Sequence, residues 1–281
     1  MRVTIVGSGT IGQALARHWR QRPELEVTLT PTTAERLNSL EPLAERVALL
    51  RADNTTALAE VLTGSEAVVF CHAPTGNVQV GAEAYRATYR DSFAALQQVL
   101  PRLPQLRQII YTGSCSVYGD AGGGWVDEAA PCQPADEHGR ILLESEQLLS
   151  GCRSEERRVC VLRLGAIRGP GQQLADRFSR LAGSTRPGNG SQHCSWIHRD
   201  DVVGAIDTAL QAGWNGTVNL VDDHPWTVAA LLEAVCQARG LEPVRWDPAQ
   251  QPASTPVDRR VRNQRLKQLG YRLRHPQLTL Q

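Results

Sequence analysis

Near its start the chain reads Val3-Thr4-Ile5-Val6-Gly7-Ser8-Gly9-Thr10-Ile11-Gly12, and no other stretch restricts the fold as much. An apolar strand runs straight into Gly-x-Gly-x-x-Gly, and a helix-like segment follows from Gln13 to Arg22. The chemistry of a phosphate-gripping turn needs these residues. Gly7 allows the tight turn, Gly9 lets the backbone approach a pyrophosphate, and Gly12 lets helix and strand pack closely. Ser8, Thr10 and Ile11 fill the loop, and the helix N-terminus offers unpaired N–H groups to an anion. The pattern predicts dinucleotide binding. The competing reading is an ordinary glycine-rich strand-to-helix turn.

Strand and helix signals alternate beyond it. Ile11, Leu15 and Trp19 fall four apart, Glu26 to Thr30 reads as a second strand, and Ala34, Leu37 and Leu40 recur at helical spacing. Val47 to Leu50 reads as strand three, and Ala57, Leu58, Val61 and Leu62 as a short helix. Ala67 to Cys71 is continuously apolar, as in a strand buried on both faces. Tyr85, Tyr89, Phe93, Leu96 and Leu100 mark one long amphipathic helix, ended by Pro101 and Pro104. Gln108 to Thr112, Val159 to Leu164 and Thr217 to Val221 complete the strands, with a helix over Arg140 to Leu149. This predicts an α/β, Rossmann-type, doubly wound parallel sheet of about seven strands. Ligands of such sheets bind beyond the carboxyl ends of the strands, so the loops after Val6, Thr30, Cys71, Thr112 and Leu164 should carry the chemistry. Cys71, His72 and Ala73 are thereby expected cofactor contacts. Gly- and Pro-rich sequence over Gly165 to Gly190, with a helix at Gln173 to Leu181, and a mixed stretch after Asp222 suggest a small C-terminal substrate lobe. We expect a single unit over 1–281. Residues 1–165 and 196–221 would form the dinucleotide-binding core, and 166–195 and 222–281 the lobe.

Charge is balanced, with 30 Lys and Arg against 29 Asp and Glu and no basic block. Neither nucleic acid nor an anionic membrane is an expected partner. No stretch reaches the ~20 apolar residues of a membrane span, and the short N-terminal apolar run is needed as a strand rather than as a cleavable signal. The seven cysteines are odd in number, scattered and without a Cys-x-x-Cys pair, which suits thiols in a reducing cytoplasm rather than zinc or disulfides.

Later motifs carry a family resemblance. Ile110-Tyr111-Thr112-Gly113-Ser114-Cys115-Ser116-Val117-Tyr118-Gly119-Asp120 resembles the end of strand five in the extended short-chain dehydrogenases/reductases, the nucleotide-sugar epimerases and dehydratases. Val126 to Pro131 resembles their acidic-Pro turn, Leu162 to Gly171 their LRxxxxxGPG segment, and Trp196 to Val202 their IHxDD segment. The resemblance covers nearly the whole chain in order. It implies a small-molecule substrate, a nucleotide-sugar among the candidates, and a homodimer through the helices at 85–100 and 140–149. Asp53 matches the position that contacts adenine.

The chain departs from that family at its catalytic helix. The family pattern is Tyr-x-x-x-Lys, whereas His138-Gly139-Arg140-Ile141-Leu142 stands here, with His138 in the Tyr place and Leu142 in the Lys place. The glycine motif is also Gly-x-Gly-x-x-Gly instead of the usual Gly-x-x-Gly-x-x-Gly. In the family, the Tyr exchanges a proton with the substrate, the Lys lowers the Tyr pKa and holds the nicotinamide ribose, and a Ser or Thr holds the substrate oxygen. By resemblance Ser114 keeps that last role. Leu142 supplies neither charge nor hydrogen bonds, so the phenolate mechanism cannot run. As a side chain that can exchange a proton, His138 is the candidate replacement base, or else a solvent-facing helix-start residue. Tyr118 is the reserve, or else a packing residue of the turn. His198, Asp200 and Asp201 form a polar cluster, but the resemblance makes the two aspartates helix-starting residues rather than metal ligands. Trp125 could floor a pocket. Strand two ends Leu29-Thr30-Pro31-Thr32-Thr33 without the carboxylate that holds a ribose 2′-hydroxyl. With Thr30, Thr32 and Arg36 nearby, NADP is the preferred cofactor and NAD the second. Two functions stay open: an epimerase/dehydratase-like oxidoreductase with non-standard catalytic residues, and a catalytically inactive NAD(P)-binding sensor or assembly protein.

Overall fold

Apolar strands occupy the middle of the sheet, and a two-residue, more exposed strand forms one of its edges. In the computed structural model, which describes residues 1–74, 80–170, 174–252 and 256–280, seven strands form one sheet. They are β1 (Arg2–Val6), β2 (Glu26–Thr30), β3 (Arg46–Val47), β4 (Ala67–Phe70), β5 (Gln108–Ser114), β6 (Arg158–Leu164) and β7 (Gly216–Leu220). Their order is β7-β6-β5-β4-β1-β2-β3. β1 pairs in parallel with β2 (Val3 opposite Val27) and with β4 (Val3 opposite Ala67), and β4 pairs in parallel with β5 (Ala67 opposite Gln108). The connections run one way from β1 to β3 and the other way from β4 onward, so the topological switch falls between β1 and β4. The crevice beyond their carboxyl ends is where such a sheet takes a ligand. Gly7 and Cys71 leave the sheet there.

β3 is shorter than its apolar run suggests. Beyond Val47, Ala48 and Leu50 still donate to the carbonyls of Leu29 (3.1 Å) and Pro31 (2.9 Å), so the segment follows the sheet edge without completing a strand. The helices relevant to the site are α1 (Thr10–Trp19), α2 (Thr55–Leu62), α3 (Asp91–Val99), α4 (Glu137–Ser150), α5 (Arg199–Ala212) and α6 (Val228–Arg239). α1 buries Ile11, Leu15, Ala16 and Trp19. α4 starts three residues before the expected Arg140, because the Asp136 carboxylate accepts the Gly139 N–H at 2.7 Å and caps it. The long helix expected over 85–100 is interrupted. Ala82–Tyr85 is α-helical, Arg86–Arg90 is a π-helical turn in which the Asp91 N–H bonds the Arg86 carbonyl, and α3 follows.

The chain divides into two units: residues 1–117, 136–163 and 203–218, and residues 118–135, 164–202 and 219–281. The first has a core that includes Val68, Phe70, Phe93, Leu96, Ile109 and Tyr111. The second has its own, with Leu174, Trp196, Leu231, Val235 and Leu278. Residues 118–135, expected in the dinucleotide-binding core, go with the second unit for a plain reason. Trp125–Val126 pairs in parallel with Arg260–Val261, and the Asp258 carbonyl accepts the N–H groups of Ala121 and Gly123. Trp196–His198 likewise pairs with Ala166–Arg168 in the second unit. A helix runs over Leu174–Ser179; Gly171, Gln172 and Gln173, where the motif end and the helix start were expected, lie outside the described residues.

Candidate cofactor and substrate site

The glycine loop fits a dinucleotide by its sterics. Gly7 has φ +108°, and a Cβ there would lie 2.6 Å from the His72 backbone. A Cβ on Gly12 would lie 1.9 Å from the Gly7 carbonyl, so the start of α1 rests directly on the loop. Gly9 is different. A Cβ there would meet no described residue within 4 Å. No side chain caps α1, and the Ser8 hydroxyl is buried without a partner. Open space, uncapped N–H groups at a ten-residue helix and an orphaned hydroxyl together suit a pyrophosphate. Thr10 is exposed on the first turn, whereas Ile11 sends its side chain into the core, leaving its backbone N–H to the loop.

A cavity of about 180 Å³ in the same unit brings together Thr32, Asp53, His72 and Ala73. It also includes Arg51 and Thr88, which sequence reasoning missed. Arg51 bonds Asp53 at 3.0 Å; its nearness to Asp53 in sequence was an available signal, whereas nothing local pointed to Thr88. Thr30 does not offer its hydroxyl to a ligand. It is 1% exposed, donates to the Ile5 carbonyl and accepts the Gly7 N–H, both at 3.2 Å, so it staples β2 to β1. The Arg36 guanidinium donates to the Ser8 carbonyl at 2.7 Å and thus stands at the glycine loop. Cys71 is a buttress: its thiol donates to the Gly7 carbonyl at 3.5 Å, and burial pushes its pKa up to about 12. His72 bonds the Thr88 carbonyl through Nε2 at 2.6 Å, its Nδ1 is buried without a partner, and burial lowers its pKa to about 4.

A second cavity, of about 290 Å³, holds the altered catalytic positions. Ser114 at the end of β5, His138 in the first turn of α4 and Leu142 one turn later line it together. Ser114 Oγ accepts the Ser116 N–H at 3.1 Å, which leaves its own proton to donate. His138 is half-buried rather than fully in solvent, and its ring stacks on Tyr85 with centroids 4.1 Å apart. Arg140 is exposed. Behind the cavity, Arg163 and Glu146 form a buried pair with an Nη2–Oε2 distance of 2.7 Å; burial raises the Glu146 pKa although Arg163 opposes it. Cys115 is buried and its thiol donates to the Arg163 carbonyl. Tyr118 is buried, and its hydroxyl donates to Asn219 Oδ1 at 2.7 Å, the geometry of a packing strut rather than of a reserve base.

The other polar residues singled out in the sequence lie in the second unit. His198 stacks on His275 at 3.7 Å and its Nδ1 accepts the Asp200 N–H. Ligand-type atoms of His198, Asp200 and His275 lie within 4.8 Å of one another. Asp200 and Asp201 stand in the first turn of α5, but Asp201 does more than start a helix. Fully buried, it accepts the Tyr271 hydroxyl and the N–H groups of Arg274 and His275, clamping the C-terminal segment. Trp125 is 44% exposed and lies under the guanidinium groups of Arg260 and Arg262, so it forms a surface cation–π stack instead of a pocket floor. Arg186, with Phe178 and Trp246, lines a cavity of about 340 Å³.

A doubly wound sheet whose switch-point crevice carries this glycine loop defines a Rossmann-type dinucleotide-binding protein. The family profile described as NAD dependent epimerase/dehydratase family matches residues 3–220, and the chain belongs to that family. It is 32% identical to protein YeeZ of Escherichia coli over 222 residues, 77% of this chain and 76% of that one. It is 27% identical over 266 residues to a 3-diazoavenalumate denitrifying reductase of a Streptomyces species, covering 89% and 85% of the two chains. A UDP-glucose 4-epimerase of Thermotoga maritima, solved with UDP-glucose, shares the fold with a TM-score of 0.80 at 19% identity, over 98% of this chain and 94% of that one. Among the described residues, no helix is long and apolar enough to cross a membrane.

Proposed function

We propose that the chain is a nicotinamide-dependent oxidoreductase acting on a small hydroxyl or carbonyl compound, with His138 and Ser114 handling the substrate oxygen. The observation that carries this reading is the shared cavity, which Ser114 and His138 line together although 24 positions separate them in sequence. When bound, a nicotinamide would supply or take up hydride. His138 gives or accepts the proton at the substrate oxygen, and Ser114 donates its hydroxyl hydrogen to that oxygen. Leu142 contributes only an apolar wall, so no ammonium holds the ribose there. Gly9, Ser8 and the N-terminus of α1 would hold the pyrophosphate, and Asp53, His72 and Ala73 the adenine side. A nucleotide-sugar is one substrate class, supported by the fold shared with an epimerase that carries UDP-glucose. The similarity to a reductase supports hydride transfer to a different small molecule. We also propose NADP over NAD. Strand β2 ends without a carboxylate, Thr32 and Arg51 line one cavity, and Arg36 reaches the Ser8 carbonyl, so donors suited to a 2′-phosphate support this preference. Calorimetry with NADPH and NADH tests it: equal or tighter NADH binding, or unchanged NADPH affinity in Arg36→Ala, would count against the preference. A homodimer through the segments 85–100 and 140–149 completes the reading, with light scattering as its check.

Leu142 also favours a second reading, in which the chain binds the dinucleotide without turnover as a sensor or assembly protein. Single-turnover oxidation of NADPH over a panel of carbonyl compounds separates the two. Oxidation that falls in Ser114→Ala and changes its pH profile in His138→Gln supports the enzyme. Stabilisation by NADPH with no oxidation by any compound supports the binder.

A further inference from the structure

We infer that the cavity at Ser114 and His138 seats an oxygenated aromatic ring, a phenol or an aryl carbonyl. The inference rests on the reading of that cavity as the substrate site and names its substrate class. The chain has only five tyrosines in 281 residues, and three of them, Tyr85, Tyr89 and Tyr111, line this one cavity beside the His138 ring. They come from separate elements. Tyr85 and Tyr89 stand on the helix before α3, Tyr111 on β5 and His138 on α4.

The rings already form a continuous wall. His138 stacks on Tyr85 at 4.1 Å, Tyr85 meets Tyr89 at 5.3 Å, and Tyr89 meets Tyr111 edge-on at 6.3 Å. Aromatic pairs favour offset or edge-to-face contacts with centroids about 4.5–7 Å apart, so such a wall extends naturally by one more ring. The wall is held in place by the π-helical turn. The His72 imidazole bonds the Thr88 carbonyl at 2.6 Å within that turn, between the two tyrosines.

The polar groups around the wall give the oxygen of such a ring its partners. One oxygen of the Asp136 carboxylate accepts the Gly139 N–H, Thr112 Oγ1 donates to the Phe70 carbonyl, and Ser114 Oγ accepts the Ser116 N–H. The Ser114 hydroxyl proton and the His138 ring remain as anchors for a ligand oxygen, beside the hydroxyls of the tyrosine wall. Among the described residues no Lys or Arg lines the cavity, and the apolar Leu142 does, so a phosphate meets no cation among them. Size agrees: a cavity of roughly 150 Å³ holds benzene, so about 290 Å³ takes a single substituted ring.

The test titrates the full-length protein, with and without saturating NAD⁺, with 4-hydroxybenzaldehyde and separately with UDP-glucose, by calorimetry. Tyr85→Phe keeps the ring and should bind the aldehyde within twofold of wild type. Tyr85→Leu removes the ring and should weaken binding about three- to tenfold, the range of one aromatic pair, with NAD⁺ affinity unchanged. Saturation transfer to the aldehyde's ring protons on irradiating the protein's aromatic protons reads the same contact in the wild type, whether or not the leucine variant folds. Absence of aldehyde binding at millimolar concentration in a protein that binds NAD⁺ overturns the inference. So does binding unaffected by Tyr85→Leu, or UDP-glucose binding that Tyr85→Leu abolishes. Aldehyde binding that behaves as expected in a protein that fails to bind NAD⁺ would sink the cofactor reading and leave this one standing.

Discussion

At the scale of single residues, Tyr111 and His72 beside the site hold polar atoms without partners among the described residues, and each has a measurable consequence. The Tyr111 hydroxyl is fully buried and makes no hydrogen bond, and burial raises its pKa well above the ordinary value. Leaving such a donor unsatisfied costs about 1–3 kcal/mol. Tyr111→Phe deletes only the hydroxyl and should raise the free energy of unfolding by about 1 kcal/mol in urea titration. A loss of similar size would mean that the hydroxyl has a partner after all. His72 carries the opposite consequence. Its Nε2 bonds a carbonyl and its Nδ1 is buried, so the added proton of an imidazolium would find no partner, and the pKa falls from 6.5 to about 4. Above pH 6.5 the imidazole is neutral both folded and unfolded, and stability is complete. As pH falls from 6.5 towards 4, the unfolded chain takes up a proton that the folded chain refuses, so stability declines by up to about 3 kcal/mol. His72→Gln should flatten the dependence of the urea midpoint on pH across that window. An unchanged slope would place the titrating group elsewhere.

At the scale of elements, α4 and β6 are tied behind the Ser114–His138 cavity by Glu146 and Arg163, both buried, with Arg163 Nε also 3.1 Å from each Glu146 oxygen. Removing one partner of such a pair strands a charge, typically at a loss of about 3–5 kcal/mol, whereas replacing both with apolar residues is often neutral. Glu146→Ala should therefore be strongly destabilised in urea melts. Glu146→Leu combined with Arg163→Met should recover most of the loss, and failure to recover would mean that the pair fixes the register of α4. The elements themselves were largely legible. β1, β4, β5 and α1 announce themselves by apolar runs and the glycine spacing, because local pattern and burial agree there. The π-helical turn was not legible. Tyr85, Tyr89 and Phe93 keep a spacing of four that reads as plain α-helix, and the Thr88 carbonyl in the turn bonds His72, 16 positions earlier, outside the helix's own pattern. The same reason hid the aromatic wall of the cavity and the buried clamp at Asp201, whose partners lie 70 and more positions later. Ser114, His138 and Leu142 were visible only because the motif around them resembles a known one; their sharing of one cavity belongs to the fold.

At the scale of the whole molecule, the three glycines of the first loop separate folding from cofactor binding. Gly7 and Gly12 are needed by the protein's own packing, since a Cβ at either would strike backbone. Gly9 is free of such contacts and has an ordinary φ of −73°, so a larger residue is compatible with the folded chain. In the proposed site, a side chain there would meet the pyrophosphate of the bound dinucleotide. Gly12→Ala should thus lower the melting temperature with or without nucleotide, because helix and loop must move apart. Gly9→Val should melt like wild type without nucleotide. A ligand that binds only the folded state stabilises it by about 2.7 kcal/mol at a hundredfold excess over Kd. Wild type should therefore gain several degrees with millimolar NADPH or NADH, and Gly9→Val should gain none. Differential scanning fluorimetry of the three proteins decides the matter. If Gly9→Val keeps the nucleotide response, the dinucleotide does not lie over Gly9. If wild type responds to neither nucleotide, the loop is a structural turn and no more.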